Sequence, residues 1–119
     1  MRALVHPAVE DLTVEAILHA LANPVRAAIF SAVVGADCPL ACTNVAAAAE
    51  RRVPKSTLSR HFTVLREAGL IRSERRGVEM QNTSRCAEIE QRFPGLLPAI
   101  VKAHQIQASS GVKRKAAQR

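Results

Sequence analysis

Apolar residues fall in a helical rhythm over most of the chain. Val14, Ile17, Leu18 and Leu21 stand at i, i+3, i+4 and i+7, which predicts an amphipathic helix capped by Asp11 or Thr13. Asn23 followed by Pro24 reads as a cap and a first-turn proline, opening a second helix whose stripe is Val25, Ala28, Ile29, Ala32 and Val33 and which Gly35 stops. Asp37, Cys38 and Pro39 resemble another entry, and the spacing predicts a third helix through Val45 and the alanines 46–49. Small side chains there admit a close neighbour. After a turn at Arg51, Arg52 and Val53, Pro54 opens a fourth helix with Leu58, Phe62 and Leu65 facing inward until Gly69 ends it.

The period then changes from helical to alternating. Ile71 to Arg75, a turn at Arg76 and Gly77, and Val78 to Thr83 predict a short two-stranded hairpin. Thr83 or Ser84 can cap a short helix through Arg92, and Pro94 begins a last one that carries Leu96, Leu97, Ile100, Val101 and His104 on one side. From Ser109 onward Ser, Gly, Lys, Arg, Ala and Gln cannot bury enough apolar area to offset their ordering entropy. The expected organisation is one domain over residues 1–108 and a basic disordered tail over 109–119. The fold class is mostly α: an α+β winged helix, in which a helix-turn-helix is followed by a two-stranded wing.

Composition supports one core of packed helices. The chain has 119 residues, 48% of them hydrophobic and only 3% aromatic, with no Trp or Tyr, so Ala, Val, Leu and Ile must fill the interior. Its formal charge is +7, and the excess is concentrated. Between Arg51 and Arg85 nine basic residues stand against three glutamates, and the tail adds Lys113, Arg114, Lys115 and Arg119. A basic segment on a near-neutral body is the footprint of a polyanion binder. No signal-peptide run and no stretch approaching a membrane span is visible, which points to a cytoplasmic protein with no membrane partner.

The chemistry concentrates on the fourth helix. With Leu58, Phe62 and Leu65 inward, Lys55, Ser56, Thr57, Ser59 and Arg60 project from its first two turns. An α-helix fits the major groove of B-DNA, where such hydroxyls and cations reach base edges and phosphates. His61 either touches a phosphate or packs at the helix edge. Arg75 and Arg76, at the hairpin tip, are candidates for phosphate or minor-groove contact. Double-stranded DNA is therefore the expected partner. An enzyme is not expected: no nucleophile–base arrangement, carboxylate pair or glycine-rich phosphate loop is present.

Two segments, Leu18-His-Ala-Leu-Ala-Asn-Pro-Val-Arg-Ala-Ala-Ile29 and Ser56-Thr-Leu-Ser-Arg-His-Phe-Thr-Val-Leu-Arg-Glu-Ala-Gly-Leu-Ile71, together with the basic hairpin after them, resemble the arsenical-resistance-repressor (ArsR) family of winged-helix regulators. The resemblance covers about residues 12–104. It implies a homodimeric repressor in which the helix holding Ser59, Arg60 and His61 reads the operator, the hairpin at Arg75 to Val78 contacts DNA beside it, and the first and last helices form the dimer interface.

Three cysteines leave several readings open. Cys38 and Cys42, four residues apart at the start of the expected third helix, would lie on one face near its positive end, where a lowered thiol pKa favours thiophilic metal binding or oxidation. As(III) is one such ligand, and Cys86 can add a third sulfur. Free cysteines also serve as small buried hydrophobes. A regulator released when Cys38 and Cys42 bind a metalloid or are oxidised, a constitutive regulator without a sensor, and a basic module for RNA or acidic proteins are the competing readings.

Overall fold

The computed structural model describes residues 6–35, 40–41 and 54–117, with backbone alone at 40–41 and 110–117. A 3₁₀ turn at Val9–Asp11 leads into helices α1 (Val14–Leu21) and α2 (Pro24–Gly35), strand β1 (Leu40–Ala41) and helix α3 (Lys55–Glu67). Strands β2 (Ile71–Arg76) and β3 (Glu79–Ser84) follow, then helices α4 (Cys86–Arg92) and α5 (Leu96–Ala117). Helices with a β-hairpin directly after α3 make the expected mostly helical, α+β winged helix.

Both first helices begin at caps that the sequence marks. Thr13 Oγ1 accepts the Ala16 N–H at 3.2 Å, and Asn23 Oδ1 accepts the N–H groups of Val25 and Arg26 at 2.8 and 3.1 Å. Arg26 then reaches back across the corner. Its Nε donates to the Ala20 carbonyl at 2.8 Å and its Nη2 to the His19 carbonyl at 3.2 Å, satisfying the open end of α1. The buried face of α1 is Ile17, Ala20 and Leu21, so the predicted stripe is rotated: Leu18 is 47% exposed. In α2 the buried residues are Ala27, Ile29, Phe30 and Val33. Phe30, absent from the predicted stripe, is among the largest fully buried side chains.

The predicted third helix lies mostly outside the described residues, but at Leu40–Ala41 the chain is a strand. Leu40 pairs with Asn82 and Ala41 with Gln81, which makes a three-stranded antiparallel sheet in the order β1-β3-β2 rather than a bare hairpin. A proline's fixed φ suits a strand entry as well as a first helical turn, so Pro39 could not discriminate between them. The hairpin turn is shifted by one residue from expectation. Arg76 pairs with Glu79, leaving Gly77 at φ 65° and Val78 as the loop.

Helix α3 ends in a Schellman arrangement. The Gly69 N–H donates to the Arg66 carbonyl and the Leu70 N–H to the Leu65 carbonyl, both at 3.0 Å, with Gly69 at φ 84°. Leu65 and Leu70 are both buried beside this turn. The N-terminal segment also closes on this glycine. A Cβ built there would stand 2.1 Å from Leu12 Cδ2.

Two later boundaries differ from expectation. Thr83 and Ser84 belong to β3, and α4 starts after Arg85, which supplies no side-chain cap and instead pairs through Nε with the Glu88 carboxylate. Helix α5 starts at Leu96 rather than at Pro94, after a turn in which Gly95, at φ 83°, donates its N–H to the Glu90 carboxylate. Its backbone runs on to Ala117, past Ser109. Lys, Arg, Ala and Gln are good helix formers, and polarity that argues against burial does not stop a helix already begun. Leu97 anchors α5 in the core, and His104 Nε2 lies 2.9 Å from the Leu21 carbonyl, tying α5 to the end of α1.

The glycine at the end of α3 generates a prediction. Gly69→Ala should destabilise the fold by roughly 1–3 kcal/mol through left-handed backbone strain and the clash with Leu12. Urea unfolding checks this, with a lowered midpoint and unchanged slope as the expected result.

Candidate nucleic-acid interface

One face of α3 is fixed before the other is used. Leu58, Phe62 and Leu65 are buried with Ile17, Ile29 and Phe30 in one core cluster, which holds the helix rotationally. Lys55, Ser56, Thr57, Ser59 and Arg60 are consequently all exposed. Neither Lys55 nor Arg60 makes an ion pair among the described residues. The first turn of α3 contains no acidic residue and its N-cap, Pro54, offers no side-chain acceptor. The unpaired N–H groups and positive end of the helix dipole therefore add to the two cations.

His61 departs from this row. It is 8% exposed, and its Nδ1 has no hydrogen-bond partner. Burial, reinforced by the Arg26 and Arg60 guanidiniums, holds its pKa below the ordinary value of 6.5. Of the two readings of this residue, packing at the helix edge is the one that fits. A neutral ring turned inward is a poor phosphate ligand.

Two of the wing's three arginines have carboxylate partners, and one of those partners, Glu88, is shared with Arg85. Arg76 pairs with Glu74 at 3.4 Å and Arg72 with Glu88 at 3.6 Å, all on partly or largely exposed side chains. Arg75 is exposed and makes no ion pair among the described residues. It lies opposite Met80, on the sheet face that carries buried Ser73 and Asn82 further down. Ser73 Oγ donates to Asn82 Oδ1 at 2.7 Å, a buried cross-strand bond that stiffens the base of the hairpin. At the tip, Val78 is 97% exposed.

Cys38 and Cys42 lie outside the described residues. The two residues between them that are described, Leu40 and Ala41, are extended, so the helix expected through these two positions is corrected to a strand. Cys86 is half-buried at the start of α4, beside an open groove of about 680 Å³ between α4 and α5 lined by Val34, Leu97, Pro98 and Val101. Among the described residues no group of three His, Cys, Asp or Glu side chains could hold a metal ion.

Sequence reasoning missed two residues that build this face. Arg26 gives no periodic signal, although a cation just after a helix end is a known cap. His6, which meets the wing strand, lies in a segment with no pattern at all.

No single described helix is long and apolar enough to cross a membrane. No curated protein matches the chain. Residues 21–74, from the end of α1 through α3 and into β2, match the family model of a helix-turn-helix domain, and this domain marks the chain as a DNA-binding transcriptional regulator.

Proposed function

We propose that the protein is a homodimeric, ArsR-like winged-helix repressor that binds double-stranded DNA, with no catalytic role. The observation that carries this reading is the exposed row Lys55, Ser56, Thr57, Ser59 and Arg60 on a helix whose opposite face is locked in the core. Cations that make no ion pair among the described residues and short hydroxyls at a helix N-terminus suit phosphates and base edges together. Arg75 extends the same chemistry to the wing. In support of a dimer, Leu18 on α1 and Ile106 on α5 are 47% and 57% exposed, on helices already joined by His104. Apolar residues bared on adjacent helices suit a twofold, self-complementary contact.

Release of DNA by a metalloid, metal or oxidant at Cys38 and Cys42 rests on the spacing of those residues and on the family resemblance. A regulator without such a sensor has the same DNA-binding surface. An RNA or acidic-protein module is less well supported, since no exposed aromatic row is available for stacking bases.

Arg60→Ala should weaken binding to the operator duplex by about 1–3 kcal/mol, measured by fluorescence anisotropy with RNA of the same sequence as competitor. Unchanged affinity, or preference for the RNA, would move the reading surface elsewhere. Arg75→Ala should reduce the slope of log affinity against log salt by about 0.9, and Arg76→Ala by less because Glu74 already neutralises it. Arsenite, peroxide and polysulfide titrations of the protein–operator complex test the thiol mechanism. Release in the wild type that Cys38→Ser and Cys42→Ser abolish is the expected result, and no release with any reagent leaves the constitutive regulator.

A further inference from the structure

The outer edge of the wing is closed by the N-terminal segment. In an antiparallel ladder, bonded and non-bonded pairs alternate. The Arg85 N–H donates to the Leu70 carbonyl at 2.9 Å, so the next bonded pair is Arg72 with Thr83, and the Ser73 N–H, opposite Asn82, points away from β3. There it donates to Nε2 of His6 at 3.1 Å. Ser73 is 2% exposed, so water cannot readily replace that acceptor, and its own hydroxyl is committed to Asn82. The segment that carries His6 is held further along. Pro7 and Leu12 approach Gly69, and the Leu12 carbonyl accepts from Arg92 Nε at 3.0 Å.

For Nε2 to accept, the ring must be neutral with its proton on Nδ1. An imidazolium donates from both nitrogens, so protonation breaks this bond. The charged groups around the ring are Arg72 and Glu74 from β2, Arg66 from α3 and Arg85 between β3 and α4. Burial first, and then these three guanidiniums against one carboxylate, keep His6 below its ordinary value of 6.5. A proton that does arrive places a fourth cation beside the three.

We propose that His6 is a positioning residue for the wing: a latch that fastens the N-terminal segment across the outer edge of β2 while its ring is neutral and opens when the ring gains a proton. Because the depressed group is a base, the stability it contributes is whole above the unfolded-chain value and is lost as pH falls through the folded one. Opening frees the Ser73 amide, bares a strand edge and loosens β2. The consequence for DNA binding rests on the function proposed above, but the latch itself does not.

The test is a pH series of ¹⁵N NMR spectra on the full chain, wild type and His6→Gln. Glutamine offers an oxygen that can accept the Ser73 N–H and cannot titrate. In the wild type the His6 ring should be protonated on Nδ1 alone at neutral pH, and Ser73 amide protection should be lost in one step with His6 titration, at a midpoint below 6.5. His6→Gln should keep the protection throughout. Protection that survives titration in the wild type, or an identical step in His6→Gln, overturns the latch. A second arm measures affinity for a mixed-sequence duplex at fixed salt. Wild-type affinity should fall severalfold relative to His6→Gln across the same step, and parallel profiles overturn the positioning role. If neither protein binds the duplex at any pH, the DNA-binding reading fails, and the amide readout alone decides the latch.

Discussion

Leu58, Phe62 and Leu65 place a single helix under two obligations at once. Their burial with Ile17, Ile29 and Phe30 fixes the rotation of α3 about its axis, and everything that can meet a ligand on that helix follows from the rotation. A helix of the same composition free to roll would present Lys55 and Arg60 to no particular partner. The core is therefore the aiming device, and its Ala-, Leu- and Ile-rich packing, with Phe30 and Phe62 inside, matters to function through direction as much as stability.

Features governed by local spacing were the ones legible in the sequence. The caps at Thr13 and Asn23, the inward triad of α3, the glycine stop at Gly69 and the presence of a hairpin are each set within a turn or two of chain. Features decided by distant partners were not. Leu40 and Ala41 became a strand because β3 offered them a pairing edge, which no window around Pro39 contains. The rotation of the α1 stripe that leaves Leu18 exposed depends on how α2 crosses it, and the bond from His6 to Ser73 joins residues 67 positions apart.

The candidate site shows the same division. Which side chains of α3 face outward could be read from helical periodicity, and His61 fell at the ambiguous edge of that pattern before its burial decided the matter. The wing could not be read this way, because counting arginines ignores their partners. Glu74 takes one guanidinium and Glu88 two, those of Arg72 and Arg85, that the linear sequence leaves unpaired, and the electrostatic weight of the interface shifts from the hairpin toward α3. Exposed pairs of this kind add little stability, so their main effect is on how strongly the wing attracts a polyanion and how steeply that attraction depends on salt.

Only Ala68, Gly69 and Leu70 separate α3 from β2, and Gly69 sits in a left-handed turn closed by two hydrogen bonds. So short a connection, with each of its three N–H groups bonded, joins the end of α3 and the start of β2 into one body. Such a body works as a caliper: the gap between its two tips is set by the fold, and a surface is gripped by both only where its own grooves repeat at the matching interval.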